Sequence, residues 1–500
     1  MWIHLVVLAA LAAVYWIRQR LSYWKHRGVA FVEPSFPQGN LEGLGKSRHM
    51  SQILQGCYEQ LKNRGPFGGV FFFINPAALI TDLDLVKTVL VKDFASFHDR
   101  NLYHNARDDP LSQHLVAMEG SKWKNLRAKL TPTFTSGKMK MMFSTVTSVA
   151  EEFTKCLTGE IASNSVVEMK DLLARFTTDV IGTVAFGLEC NSLKDTNARF
   201  RVMGRKVFEP SRYRAMKTFL AAQFPQLART LRVTLTPADI SDFFMGVVKD
   251  TIQFRETNDV QRNDFMTLLM KVMKEDVLSS GKGSGSGDQL TMDDIAAQAF
   301  VFFLAGFETS STTMSFCLYE LALHQELQDK ARANIEEVLQ KYDSISYEAV
   351  HEMKYIEMCI NESLRKYPPA TTLTRKANHD YRVAGTDQVL QKGLMVAVPV
   401  YAIHHDPAHF PNPDRFDPER FSPEQTAKRH PFAYLPFGEG PRICIGLRFG
   451  MMQARIGLVY LLKHFRFTLD EQRMSVPLKL SPSSPVLTIE GGLWLKVQKL

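Results

Sequence analysis

Ten residues near the C-terminus limit what this 500-residue chain can become more than any other feature: Phe437-Gly438-Glu439-Gly440-Pro441-Arg442-Ile443-Cys444-Ile445-Gly446. They fit Phe-x-x-Gly-x-Arg-x-Cys-x-Gly, a pattern that average residue usage would produce in on the order of one in ten thousand chains of this length. Glycines let a backbone approach a flat group closely and leave amide N–H groups free to point at sulfur. Cys444 immediately precedes a stretch, 445–463, that reads as a helix. The partial positive charge at a helix N-terminus favours thiolate over thiol. A thiolate of this kind ligates metal, and on a haem iron it promotes O–O cleavage. The competing reading is a small buried cysteine in a tight turn.

The other cysteines, Cys57, Cys156, Cys190, Cys317 and Cys359, form no Cys-x-x-Cys pair and no zinc spacing with histidine. Scattered along a long chain, they fit a reducing environment and buried apolar roles. Hydrophobic residues make up 45% and charged residues 22%, which is globular rather than disordered. A net charge of +8 without a basic run interleaved with aromatics argues against a nucleic-acid partner. It suits a membrane surface or an acidic protein.

The N-terminus points the same way. Residues Trp2 to Ile17 are apolar apart from His4. As a helix they span ~24 Å, short of a ~30 Å hydrocarbon core but suited to the thinner endoplasmic-reticulum bilayer. Trp2, Tyr15 and Trp16 suit the two interfaces. Ala10-Leu11-Ala12 resembles a signal cleavage site, yet the positive charges Arg18, Arg20, Lys25 and Arg27 follow the apolar stretch, and a cleaved signal carries its charge first. The reading is a transmembrane anchor at 1–20, a Pro/Gly hinge at 21–45 and a catalytic body at 46–500 on the cytosolic side of the endoplasmic-reticulum membrane.

Along the body, helical patterns dominate from Leu111 to Leu339, interrupted by a flexible Gly/Ser loop, Gly281–Gly287. Thr291-x-x-Asp294 starts a helix that carries an apolar run from Ile295 to Leu323. A further helix is predicted over Ser346–Lys366, ending before Pro368-Pro369. Gly69–Ile80 reads as a strand and Val383–Val400 as short strands, while 404–440 is irregular and aromatic-packed. The fold class is mainly α with small β-sheets. Ala305, Gly306 and Thr309 share a helix face. Glu362 and Arg365 are spaced for an ion pair. Trp123 and Arg127, one turn apart, can both donate to a carboxylate.

The Cys444 loop resembles the haem-binding signature of the cytochrome P450 superfamily, and the other motifs follow in that family's order. The resemblance implies its α-rich triangular-prism fold, and haem b held by Cys444 as axial thiolate. It places Phe437, Gly438 and Ala305 against the cofactor, with Trp123, Arg127, Arg375, Arg442 and more weakly Arg100 at the propionates. Thr309 and Glu308 take the place of the family's proton-delivery pair. Glu362, Arg365 and Arg420 match its structural ion cluster supporting the haem loop. The segments Trp123–Lys140 (WKNLRAKLTPTFTSGKMK) and Tyr23–Val29 (YWKHRGV) are similar to the insect microsomal branch often called family six, whose members typically oxidise plant toxins and insecticides.

The activity implied is a monooxygenase that inserts one atom of O2 into apolar small molecules, whether xenobiotics or endogenous hormones. Electrons come from NADPH through a separate flavoprotein reductase, since this chain has no Gly-rich dinucleotide motif. Cytochrome b5 is a further expected partner. One or two of Phe300, Phe302, Phe303 and Phe307 are expected to line the pocket, the rest the core. Pro369–Thr374 and Ser481–Val486 fall where the family makes further substrate contacts. Lys122, Lys124, Arg127, Lys129, Lys138, Lys140, Arg448 and Arg455 suggest a basic docking face, and Met216–Leu231 a second bilayer contact or a packed lid. The alternatives are a reductase-independent enzyme of the same fold that rearranges peroxides, and a non-catalytic haem or ligand carrier.

Overall fold

The computed structural model describes residues 2–209, 211–260, 262, 264–280 and 290–500; the Gly281–Gly287 loop lies outside the described residues. Helices dominate, and two apolar cores hold the body together. The larger is built around the 32-residue helix Met292–Leu323, and the smaller lies under a mixed sheet. That sheet has the order Phe67–Phe72, Asn75–Ile80, Met395–Val398, Leu373–Lys376. Its outer pairs are antiparallel and its central pair parallel. A second sheet joins Val166–Glu168, Trp494–Lys499 and Phe465–Leu469, and a two-stranded ribbon joins Tyr381–Arg382 to Val389–Leu390.

The long helix starts as its sequence predicts. The Thr291 hydroxyl accepts from the Asp294 amide at 3.1 Å, and the Asp294 carboxylate accepts from the Thr291 amide at 2.9 Å. Its close approach to the helix Met169–Ile181 depends on Gly306, where a Cβ would lie 2.7 Å from Ile181 Cδ1. Gly457 does the same for the helix Leu447–His464, with Met314 Sδ and Phe176 Cε1 at 2.6 and 3.0 Å from its would-be Cβ. Three helices thus cross around Met314, and the third follows Cys444.

Three segments differ from their sequence reading. Gly69–Ile80 is a hairpin rather than one strand, because Phe73 turns the chain at φ 56°. Ser346–Lys366 is two helices, Tyr347–Glu352 and Lys354–Lys366, broken at Met353, whose side chain is buried. The segment read as a hinge is docked on the sheet. Trp24 is 1% exposed, donates from Nε1 to Val70 O at 3.2 Å, and lies where a Cβ on Gly69 would collide with its ring. Ahead of it, Trp2–Leu21 is a helix long and apolar enough to cross a membrane, with none of its hydrophobic window buried in the protein.

Candidate haem-thiolate site

The Cys444 loop is shaped by its neighbours. Gly440 has φ 74°, and a Cβ there would lie 2.0 Å from Leu90 O. Gly438 also has positive φ, 72°, and faces the Leu373 methyls. After the turn Gly440–Arg442, the Cys444 amide donates to Phe437 O at 2.9 Å and closes the loop. Leu447–His464 begins three residues after Cys444, rather than at 445.

Cys444 is enclosed by protein, yet its side chain has free surface. Such a thiol faces an internal opening. Burial pushes it above the ordinary thiol value, against the Gly446 amide and the charges of Arg127 and Arg100. A coordinated metal supplies the missing positive charge and deprotonates such a thiol outright. Ala305 is likewise exposed, although Phe303 and Phe307, two residues to either side in the same helix, are buried.

Four guanidinium groups gather on this side of the body. Arg375 is 1% exposed, and its Nη1 donates to Thr374 O at 2.9 Å. Its Nε has no partner, and no carboxylate pairs with it among the described residues. Burial first, and then Arg100, push it down to about 9. Arg100 falls to about 10 by burial, partly offset by Cys444. Burial also lowers Arg127, again opposed by Cys444. Arg442 is pushed to about 9 by burial and by Arg100, and stacks 3.9 Å from the Trp123 ring centroid. It donates to His98 O and Met118 O at 2.8 Å and to Leu115 O at 3.4 Å, so much of its donor set is spent bracing the loop. A buried guanidinium with an orphaned Nε and lowered pKa is costly unless an anion meets it. The set fits a flat cofactor with two carboxylate arms.

On the long helix, Thr309 Oγ1 donates to Ala305 O at 2.5 Å, one turn back. Glu308 turns the other way, its carboxylate 3.6 Å from Lys170 Nζ. The shared face expected for Ala305, Gly306 and Thr309 holds for the first and third. Gly306 is rotated about 100° from Ala305, and the space its side chain would occupy belongs to Ile181. Phe300, Phe303 and Phe307 are buried in an aromatic cluster with Phe186, Phe200 and Phe244, and Phe302 packs on Phe134 and Phe265.

The Glu362–Arg365 pair is bidentate, at 2.8 and 2.9 Å, with both side chains fully buried. Arg420 Nε joins at 3.3 Å. Its connection to the cysteine loop runs through His404, which the sequence reading missed. His404 Nδ1–H donates to Arg365 O at 3.0 Å, and Nε2 accepts from the Leu435 amide at 2.8 Å, just before Phe437. Burial, His405 and Arg365 hold His404 well below its ordinary value, so it stays neutral and keeps that acceptor. No local motif signals this residue; it lies 39 positions from Arg365.

Residues 34–495 match the sequence model of the family described as Cytochrome P450. The chain belongs to the cytochrome P450 family. It is 46% identical over 499 residues to cytochrome P450 6A1 of Musca domestica, covering 99% of this chain and 97% of that one. It is 45% identical over 504 residues to cytochrome P450 6a2 of Drosophila melanogaster, covering 100% and 99%. As a cytochrome P450 it is a haem monooxygenase with relatives in the insect family-six branch, and its helical architecture with small sheets is that family's.

Proposed function

We propose that this cytochrome P450 hydroxylates or otherwise oxygenates apolar small molecules, xenobiotics such as insecticides or plant toxins among them. Its electrons come from NADPH through a separate flavoprotein reductase, with cytochrome b5 as a second donor. The observation that carries this reading is the pairing of an inward-facing, accessible Cys444 with an orphaned Arg375 guanidinium and a Glu308–Thr309 pair on the long helix. Haem, when bound, activates dioxygen and inserts one oxygen atom into substrate.

The chain's own residues divide the remaining work. Cys444 supplies the axial thiolate, and Phe437, Gly438 and Ala305 border the cofactor. Arg100, Arg127, Arg375, Arg442 and Trp123 hold the propionates. Thr309 moves its hydroxyl proton from Ala305 O toward the opening, and Glu308 brings protons from the Lys170 side. Glu362, Arg365 and Arg420 keep the loop in place. Two segments meet beside the site, since the Leu487 amide donates to Pro369 O at 3.3 Å. They carry Pro369–Thr374 and Ser481–Val486, which contact substrate.

Residues 1–20 anchor the body, 46–500, on the cytosolic side of the endoplasmic-reticulum membrane, joined through 21–45. Tyr213, Met216, Leu227 and Leu231 are exposed beside the anchor, where Trp16 stacks on Phe224 at 6.4 Å. They form a second bilayer contact. Lys122, Lys124 and Arg448 are exposed and form the reductase face. Arg455 does not belong to it, being buried and paired with Glu357.

The reduced carbon-monoxide complex tests the haem thiolate: the wild type gives the thiolate-type Soret band and Cys444→Ala loses it. NADPH-dependent product formation with purified reductase tests the rest. Turnover with a lipid hydroperoxide alone, and none with NADPH, would replace monooxygenation with peroxide rearrangement. Normal haem loading with no NADPH consumption on any substrate would leave a carrier.

A further inference from the structure

We propose that Asp99 is a positioning residue for the haem: the buried carboxylate among the four guanidinium groups, it ties the cysteine loop, the Trp123 helix and the Arg375 strand together and offsets part of the positive charge facing the cofactor.

Asp99 is 4% exposed. Its Oδ1 accepts from the Gly120 amide at 2.8 Å and stands 3.7 Å from Arg442 Nη2. Its Oδ2 accepts from Asn378 Nδ2 at 2.7 Å, with Lys376 Nζ at 3.8 Å. Its backbone carbonyl accepts from the Lys376 amide at 2.8 Å. The two flanking residues extend the tie. His98 O accepts from Arg442 Nε at 2.8 Å. Arg100 Nη2 donates to Arg442 O at 3.0 Å, and Arg100 O accepts from Thr374 Oγ1 at 3.0 Å.

The chemistry of each contact explains why a carboxylate stands here. Gly120 opens the helix Gly120–Leu130, which carries Trp123 and Arg127, and the residue before it, Glu119, makes no side-chain cap. Asp99 therefore meets an orphan amide and the positive end of that helix from a distant part of the chain. Arg100 and Arg375 both push Arg442 toward losing its proton, while Asp99 acts against them. Without Asp99, Arg442 would face two like charges without this counter-charge. With it, the loop that holds Cys444 has its guanidinium fixed over Trp123.

A negative charge beside the cofactor also favours ferric over ferrous haem, because reduction removes one positive charge from the iron centre. Asp99 is thereby assigned a part in setting the reduction potential as well as the geometry.

The inference rests on the placement of haem against these arginines given above, and the two can fail separately. Asp99→Asn is the decisive variant because it keeps the shape. Its side-chain oxygen still accepts from the Gly120 amide. Asn378 Oδ1 has no partner, so a flip of that amide accommodates the new N–H. The expected result is a haem-loaded protein whose ferric–ferrous potential, measured by dye-coupled titration, is more positive than wild type. Asp99→Ala is expected to lose haem to apomyoglobin at least about tenfold faster, as outer-sphere changes do at bound metals.

A loaded Asp99→Asn protein with the wild-type potential, or an Asp99→Ala protein with the wild-type rate of haem loss, overturns the proposal. If Asp99→Asn alone does not load, Asp99→Asn is placed in a Lys376→Gln chain, where no ammonium group faces the new amide, and its potential is compared with Lys376→Gln alone. An unchanged value there also overturns it. If instead Arg375→Leu leaves haem loss unchanged, the placement of the propionates is what has failed.

Discussion

Lys170 Nζ stands 3.6 Å from Glu308 Oε1, so the acid beside Thr309 is tied to a neighbouring helix rather than aimed into the cofactor side of the site. The Thr309 hydroxyl meanwhile donates a hydrogen bond to Ala305 O. The proposed proton path is thus held in two halves: a carboxylate resting on the partly exposed Lys170, and the Thr309 hydroxyl bonded within its own helix. On that proposal, delivery has Glu308 leave Lys170.

Two substitutions should separate these halves. Glu308→Gln is expected to slow product formation roughly 10²-fold, the lower range for losing general acid catalysis. Thr309→Ala is expected to keep NADPH consumption while diverting most of it to hydrogen peroxide. The ratio of product to peroxide per NADPH is the measurement. An unchanged ratio in Thr309→Ala removes this hydroxyl from the path.

Arg375→Leu should have effects of opposite sign on the two forms of the protein. Without haem, the orphaned guanidinium is a burden, and replacing it with a packed apolar side chain should stabilise the chain by about 1–4 kcal/mol. With haem, the same change removes a proposed propionate partner and should speed haem loss. Denaturant unfolding of the haem-free protein and transfer to apomyoglobin read the two effects.

His404→Phe fills the volume but leaves the Leu435 amide and Arg365 O unpaired. Each buried group left so costs about 1–3 kcal/mol. Haem content should fall along with stability, because Leu435 leads into the cysteine loop.

The same histidine sets a pH limit. His404 lies well below its ordinary value of 6.5, and burial and Arg365 push His405 to about 3. Below pH 6.5 the unfolded chain takes up protons that the folded chain refuses. These groups therefore cost nothing above that pH and remove stability as pH falls toward 3. Unfolding free energies between pH 7 and pH 4 should drop steeply, and less so in His404→Phe, where one such group is gone.

Gly440→Ala should cost on the order of 2 kcal/mol or more, since its φ of 74° is strained for any other residue and Leu90 O fills the space. Expression without haem, measured by the ratio of Soret to protein absorbance, is the expected outcome.

How much of this was legible in the sequence depends on how local each signal is. The long helix and its Thr291 cap, the cysteine loop and the Glu362–Arg365 spacing are fixed by neighbours within a few residues, and each reads off directly. The break at Met353 and the turn at Phe73 are not legible in this way. Burial of Met353 decides the first, and strand pairing across the sheet supports the second. His404 and Asp99 escape for the same reason, since the hydrogen-bond partners of their side chains lie at least 31 and 21 positions away. The burial that raises the Cys444 thiol is likewise not legible in the sequence, although the helix that follows it is.

Trp24 has a practical consequence. With its indole seated over Gly69, only Ser22 and Tyr23 separate the apolar helix from the first buried residue of the body. The joint is closer to a mooring post than to a tether. A shortened, detergent-free form of the enzyme should therefore begin before Trp24. Cutting a few residues later would pull a plug from the sheet and leave Gly69 facing a hole.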